Sequence, residues 1–345
     1  MINILVTGAG ALLGQGILRS IRMIEELDYY LISADPEAKS TGHFIADKSY
    51  LIPYASDPDY IYRIEQIILE ENIDIVFIGT DVELPLFAEN KEYLENKYNT
   101  KIVVSSTDVV EIANDKWKTS EFLRNNGFPY PISSLTTDDI GISNLIKLNK
   151  FPYIAKPIDG ARSRGLIIVE DEKQLLSLCD LENNLVVQEL LSDEEGEFTT
   201  GCLVINGECV SIVSLKRDLR DGNTWRAYRN GENPYDSIIK EIAEKLNPDG
   251  PLNFQYRIKN GQPVIFEINC RFSGTTPIRA IFGVNEVEAL LRYYFEDKPI
   301  TQGKIKNGTL LRTFSDIFIE NEVVEELKSN KVLVNPKSSY YPFKR

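Results

Sequence analysis

A glutamate, a glutamine, an asparagine and an arginine stand within one short segment, NFQYRIKNGQPVIFEINCR (residues 253–271), at a spacing that places them on one surface. Phe254, Tyr256 and Ile258 alternate along its first half, and Val264, Phe266 and Ile268 along its second. That is the period of two β-strands sharing an apolar face. Asn253, Gln255, Glu267 and Asn269 have the opposite parity. Burying both apolar rows together makes even positions of one strand pair with even positions of the other. The register gathers Gln255, Glu267 and Asn269 on one face, with Arg271 just beyond. It also dictates the turn. A two-residue Asn260-Gly261 turn pairs even with odd, so a three-residue loop, Lys259-Asn260-Gly261, is expected, with Gly261 at positive φ. One carboxylate, two amide oxygens and a guanidinium suit a hard divalent cation carrying phosphate. Mg²⁺ takes few protein oxygens and completes its shell with phosphate and water. The plainer alternative is the solvated face of an ordinary hairpin.

Elsewhere the chain restricts the chemistry to carboxylates, cationic side chains and a cofactor. His43 is the only histidine, in a polar stretch (STGHFIADK) that reads as a loop. A two-histidine zinc site is therefore ruled out, and a Ser-His-Asp or Cys-His system has a single candidate base. Cys179, Cys202, Cys209 and Cys270 form no CxxC pair and read as reduced, mostly buried thiols of a cytoplasmic protein. A formal net charge of −14 argues against nucleic acid or an anionic membrane as partner, although a local basic pocket for one nucleotide is compatible with it. No segment approaches the apolar length of a membrane span, and MINILVTG runs into a strand without a basic leader. With 345 residues, 43% hydrophobic and 26% charged, the chain reads as a soluble globular protein of two or three subdomains.

The elements that must position these residues fall into three regions. Residues 1–112 alternate apolar strands (INILVT, YYLISAD, IDIVFIG, KIVVSS) with helices to about Glu26, over 60–71 and around 86–98. This is the pattern of a parallel, doubly covered, Rossmann-like sheet. Residues 113–187 open on a helix at Asn114 or Asp115 and continue with short strands, YIAKP and GLIIVE, and one helix near 172–179, which suits a hinged lid. Residues 188–345 carry longer antiparallel runs, with helices over 236–246 and 285–295, a strand-like TLLRTFSDIFI and a polar tail. The fold class is α/β followed by α+β.

Other motifs admit both a chemical and a plain reading. The turn TGAGALLG (residues 7–14) joins strand to helix as a dinucleotide site does, with Asp35 as ribose acceptor. Its spacing, G-x-G-x-x-x-G, departs from the dinucleotide fingerprint, and Ala11 takes the middle glycine position of the extended short-chain reductases. Their Tyr-x-x-x-Lys is matched by Tyr93–Lys97, a pair that 17 tyrosines give about once by chance. An NAD(P)-dependent reductase or epimerase is thus a competing reading. Lys156 closes a strand before a glycine- and serine-containing loop, giving either a phosphate-binding point charge under a movable cover or a surface lysine before a turn. The basic run SLKRDLRDGNTWRAYRN is by default a solvated loop, but Arg217 and Arg226 could hold an acceptor carboxylate or phosphate.

The run EINCRFSGTT closely resembles the metal-binding signature of the ATP-grasp superfamily, and the chain is similar to a single unit of the carbamoyl-phosphate synthetase large subunit. The resemblance covers nearly the whole chain, with lysine, lid, hinge and metal motifs in family order. It implies a Rossmann-like N-terminal domain followed by an ATP-grasp fold, with a small lid and a larger antiparallel-sheet subdomain. It assigns Gln255, Glu267 and Asn269 to Mg²⁺ (or Mn²⁺) and Arg271 to the transferring phosphate. Lys116, with Lys118 its confusable neighbour, points at the nucleotide; Lys156 faces the α-phosphate, and Ser163, Arg164 and Gly165 clasp the β- and γ-phosphates. The backbone around Glu189 and Leu191 meets the adenine edge, and Glu197 takes the ribose hydroxyls, with Glu194 and Glu195 solvated. Gly10, Asp81 and Glu83 border the acceptor pocket. The implied activity is ATP- and Mg²⁺-dependent joining of a small-molecule carboxylate to an amine through an acyl phosphate. A catalytically inactive ATP-binding module is the remaining alternative, and a homodimer is left open.

Overall fold

The computed structural model describes residues 1–159, 165–181, 184–313 and 315–341. The β-branched N-terminal runs form β1 (Ile2–Val6), β2 (Tyr29–Asp35), β3 (Lys48–Leu51), β4 (Ile75–Phe77) and β5 (Lys101–Val103), all parallel, in the order β3-β2-β1-β4-β5. Helices α1 (Leu12–Arg22), α2 (Tyr60–Glu71) and α3 (Leu84–Tyr98) connect them, α1 ending four residues before the expected Glu26. α4 (Thr107–Asn114) and α5 (Lys116–Asn125) are separated by Asp115, whose carboxylate caps α5 by accepting from the Trp117 (2.8 Å) and Lys118 (3.0 Å) amides. That cap stops one helix and starts the next, and sets Lys116 at the junction.

The lid is a four-stranded antiparallel sheet, ordered β6-β9-β7-β8, from β6 (Ser133–Leu135), β7 (Tyr153–Pro157), β8 (Ile167–Val169) and β9 (Leu185–Glu189). Two helices rather than one cover it, α6 (Asp139–Leu148) and α7 (Glu172–Cys179), around a small core of Leu145, Tyr153, Val169, Leu175 and Val187. The apolar run LVVQE pairs with β6 and β7, so a boundary at 187/188 falls inside a lid strand.

The large sheet is ordered β14-β13-β10-β11-β12-β15: β10 (Glu197–Ile205), β11 (Glu208–Arg220), β12 (Asn223–Arg229), β13 (Gly250–Lys259), β14 (Gln262–Asn269) and β15 (Gly308–Leu311). α8 (Asp236–Leu246), α9 (Thr276–Ile281) and α10 (Glu286–Glu296) accompany it. The β13–β14 turn differs from expectation. Asn260 (φ 52) and Gly261 (φ 73) form a two-residue turn, with Lys259 opposite Gln262. A bulge at Phe266 then restores the even–even register, so that Gln255 faces Glu267 and Phe254 faces Ile268. Consequently Ile265 is buried and Phe266 is only half-buried, the reverse of their expected roles. The basic run is no loop either: β11 and β12 form a hairpin turning at Asp221 (φ 52) and Gly222 (φ 72).

The expected terminal strand splits into β15 and β16 (Asp316–Phe318), and the polar tail is structured. α11 (Asn321–Asn330) leads to β17 (Val332–Val334), which adds antiparallel to β3 at the edge of the N-terminal sheet, and β18 (Ser339–Tyr341) pairs with β16. Val324, Leu327 and Leu333 pack there on Ala38 and Phe44, so α11 and β17 belong structurally with the first domain. One contiguous apolar cluster joins that domain to the large sheet, running from Leu5, Val76 and Ile102 to Cys202, Phe254 and Ile268. Among the described residues no helix is long and apolar enough to cross a membrane.

Candidate functional site

Three successive rungs of the large sheet present polar side chains on one face. Glu197 on β10 is flanked by Arg217 on β11 and Arg257 on β13. Next come Thr199, Gln255 and Glu267, then Gly201, Asn253 and Asn269. Glu267 Oε1 accepts N–H bonds from the amides of Gln255 (3.2 Å) and Asn269 (3.0 Å). The amide oxygens point away, Gln255 Oε1 to Arg217 (2.6 Å) and Asn269 Oδ1 to Arg271 (2.9 Å). Glu267, Gln255, Asn269 and Arg271 are thus brought together. The donor chemistry fits a hard cation, since an amide that donates through nitrogen offers its oxygen when its plane turns over. Among the described residues no group of three His, Cys, Asp or Glu side chains could hold a metal, which leaves one carboxylate with amides and phosphate as the fitting set.

Two lysines approach Glu267 from the lid side. The Phe266 carbonyl, at the bulge, accepts a bond from Lys156 Nζ (3.3 Å). Burial pushes the Lys156 ammonium down to about 8; Glu267 opposes that shift and Lys116 adds to it. Lys116 is also lowered by burial, against the pull of Glu267, and its backbone N–H donates to the Ile158 carbonyl (3.0 Å). Lys118 instead pairs with Glu111 (2.7 Å) and lines a separate cavity of about 530 Å³ between α3, α4 and the end of β7, which neither Lys156 nor Glu267 borders. Ser163 and Arg164 lie outside the described residues; Gly165 has φ +71, a conformation that favours glycine.

The hinge residues are already engaged. One Glu189 carboxylate oxygen accepts from the Ile132 amide (3.0 Å) and the other pairs with Lys259, and the Leu191 carbonyl accepts from Arg257 (2.8 Å). Glu197 is clamped between two guanidiniums, Arg217 (2.6 Å) and Arg257 (3.1 Å), leaving it less capacity for a ribose than expected. Arg217 is buried at 8% exposure with its donors on Glu197, Gln255 and Thr224, so it organises the sheet face instead of reaching an acceptor. Arg226 is turned to solvent, where it pairs with Asp218 (3.5 Å).

The N-terminal domain contributes less than expected. Asp81 does border the site, accepting from Arg271 Nε at 2.7 Å. Glu83 does not. It is buried beneath the glycine turn, accepting from Thr7 (2.9 Å) and Tyr60 (2.6 Å), and burial raises its carboxyl. The Gly10 amide donates to Asp35 Oδ2 (2.7 Å), and a Cβ there would meet Ser40 Oγ at 2.1 Å. Asp35 also accepts from Ser40 (2.5 Å) and the Glu37 amide (2.9 Å), which satisfies the acceptor a dinucleotide ribose would need. Lys97 and Tyr93 bond to each other on α3, Lys97 also reaching Glu65. His43 is buried in a 3₁₀ turn, where burial lowers its imidazole. These contacts disfavour the reductase reading.

Sequence reasoning missed Arg257 and Lys259, although their parity with Gln255 signals the face. It also missed Arg279. Buried at 1% exposure, Arg279 pairs with Glu286 (2.6 Å) and ties down Asn253, Ser273 and Thr275. A lone arginine in the apolar run TPIRAIF was its only sign.

Family models match in the same order. Residues 4–103 match the PylC-like N-terminal domain, 113–245 the RimK-like ATP-grasp domain, and 182–316 the ATP-grasp of a biosynthetic pathway with the Ter operon. The chain belongs to the ATP-grasp superfamily, and its N-terminal α/β domain precedes that fold as expected. It is 24% identical to the carbamoyl phosphate synthase large chain of Pseudothermotoga lettingae over 99% of its own length, yet spans only about a third (32%) of that relative. Similar solved structures are the Staphylococcus aureus N5-carboxyaminoimidazole synthetase with ADP and the biotin carboxylase domain of the Hydrogenobacter thermophilus 2-oxoglutarate carboxylase with MgADP and bicarbonate. The first has TM-score 0.67 at 16% identity, covering 96% of this chain and 85% of that one; the second has TM-score 0.67 at 18% identity, covering 89% and 73%.

Proposed function

We propose that the chain is an ATP-dependent ligase that joins a small-molecule carboxylate to an amine with release of ADP. The observation that carries this reading is the convergence of Lys116, Lys156 and Arg271 on Glu267 and its two amides, a cationic cleft in a chain of net charge −14. In this reading Gln255, Glu267 and Asn269 hold Mg²⁺, which when bound screens the triphosphate charge. Lys156 and Lys116 bind phosphate oxygens as point charges. Arg271, steadied by Asp81, stabilises charge on the transferring phosphoryl group. Gly165 lies at the β- and γ-phosphates in this reading, the backbone around Glu189 and Leu191 meets the adenine edge, and Glu197 takes the ribose hydroxyls.

A carboxylate oxygen attacks the γ-phosphorus as the bridging P–O bond breaks, giving an acyl phosphate and ADP. An amine then attacks the acyl carbon, phosphate leaves, and the amine proton passes to solvent. The protein's contribution is positioning and fixed charge, as in other phosphoryl transfers. The same reading keeps three regions, 1–112, 113–187 and 188–345, with β9 moved to the lid and α11 and β17 to the first domain. The test is a phosphate-release screen of carboxylates crossed with amines under MgATP. Wild-type turnover with some pair, lost in Glu267→Ala and Lys156→Ala of unchanged far-UV spectrum, supports the reading; full turnover by either variant overturns it.

A further inference from the structure

Arg279, in α9, is 1% exposed and pairs with Glu286, equally buried at the start of α10. Its Nε meets Oε1 at 2.8 Å and its Nη2 meets Oε2 at 2.6 Å. Two charges taken from water together are weak evidence of stability, since apolar residues of like volume often serve a core as well. The remaining donors show what the guanidinium adds. Nη1 donates to the Thr275 (2.6 Å) and Ser273 (3.1 Å) hydroxyls and to Asn253 Oδ1 (3.4 Å), and Nη2 donates also to Thr276 (3.2 Å). One planar group thus holds the hydroxyls of the loop after Arg271 and a side chain of β13 in fixed relation.

The sheet makes room for this group. Gly201 stands in the middle of β10, where a glycine weakens a strand, and a Cβ there would meet Arg279 Cζ at 2.2 Å. Gly201 lies opposite Asn253, and Asn253 lies opposite Asn269, so the guanidinium sits against the rung that ends in an amide of the site. Thr199, one rung along, also donates to Asn253 Oδ1 (3.0 Å). A second route reaches the same amide, because residues 273–276 follow directly on Arg271, which donates to Asn269 Oδ1. Behind the arginine both helices rest on the first domain. An added Cβ at Gly16 of α1 would lie 3.2 Å from Pro277 of α9, and Asn285, which caps α10, donates to the Ser20 carbonyl (2.9 Å).

We propose that Arg279 is a positioning residue for the metal end of the site: by clamping Asn253 and the loop after Arg271, it holds Asn269 and Arg271 where they meet Mg²⁺ and phosphate. The inference rests on the ligase reading and extends it to a side chain that touches no ligand. Groups that orient a metal ligand from behind are worth about 10–100-fold in metal affinity.

The experiment is calorimetric titration of the full chain with ADP, once in excess Mg²⁺ and once in EDTA, with unfolding midpoints measured alongside. Wild type is compared with Arg279→Lys, with the paired replacement Arg279→Met and Glu286→Leu, and with Thr275→Val. The pair removes both charges, so the core has no orphaned carboxylate, and lysine keeps the charge but loses the planar fork. The expected result is tighter ADP binding by wild type in Mg²⁺ than in EDTA. The paired replacement and Arg279→Lys should lose about ten-fold of that Mg²⁺ enhancement, and Thr275→Val a few-fold, with affinity in EDTA unchanged. A folded paired replacement with full Mg²⁺ enhancement overturns the proposal. Equal losses in the two arms also overturn it, because they mark a purely structural arginine. If the pair does not fold, Arg279→Lys decides by the same criteria, and Thr275→Val decides if neither folds. Wild-type binding of ADP that is indifferent to Mg²⁺ overturns the positioning role, whereas no binding of ADP in either arm sinks the ligase reading itself.

Discussion

The glycine turn of the first domain and the polar face of the large sheet both gather carboxylates beside hydrogen-bond donors, yet the donors differ in kind. Around the turn, Asp35 and Glu83 are filled by the protein's own neutral donors: Gly10, Glu37 and Ser40 for the first, Thr7 and Tyr60 for the second. On the sheet, Glu267 has two amide donors that can turn over, and Lys116, Lys156 and Arg271 converge on it or on its amide neighbours. Saturated carboxylates maintain a fold. A carboxylate with cations gathered around it is suited to receiving a charged ligand.

That contrast can be broken by experiment. Glu267→Gln should lower phosphate release under MgATP by about 100-fold or more while the unfolding midpoint stays put. Glu83→Ala should show the opposite pattern, losing about 1–3 kcal/mol of stability in a denaturant titration because Thr7 and Tyr60 lose a buried acceptor, with turnover per folded molecule retained. If Glu83→Ala leaves stability intact, the division between the regions fails.

Lys156 sharpens the comparison through pH. With its ammonium held at about 8, raising the pH above that value removes the cation and should weaken nucleotide binding by about ten-fold per unit, a dependence absent in Lys156→Arg. The sign for folding is the reverse: the unfolded chain holds this proton up to about 10.5, so the nucleotide-free protein gains stability from this group between pH 8 and 10.5. A flat affinity profile from pH 7 to 9.5 would contradict the assignment. Arg226→Gln has the smallest expected effect. Its solvent-facing pair with Asp218 implies a stability change within about 0.5 kcal/mol and unaltered turnover.

Much of the site was legible because it is local. The parity of residues 253–271 put Gln255, Glu267 and Asn269 on one face, and the structure places them there, although through a two-residue turn and a bulge instead of the expected three-residue loop. Alternation sets which residues share a face, whereas bulges arise from the packing of neighbouring strands, which no short segment encodes. The bulge has a consequence at the site, since Phe266, which it displaces, carries the carbonyl that meets Lys156. The polar tail illustrates the opposite difficulty: three apolar residues spread over Val324–Leu333 suffice to dock it on the first domain, too few to register as a pattern.

The sequence by itself restricted the kind of chemistry: carboxylate, amides and an arginine in strand parity, one histidine, and a net charge of −14 that is compatible with a local basic pocket. Only the tertiary structure decided which charged side chains meet. Arg271 reaches Asp81 across 190 residues of chain, Glu83 turns inward two residues from it, and Lys116 feels the charge of Glu267 while Lys118 pairs with Glu111. The reason is physical. A charge's partner and its burial follow from packing between distant elements, and the cost of leaving it unpaired away from water makes that choice decisive.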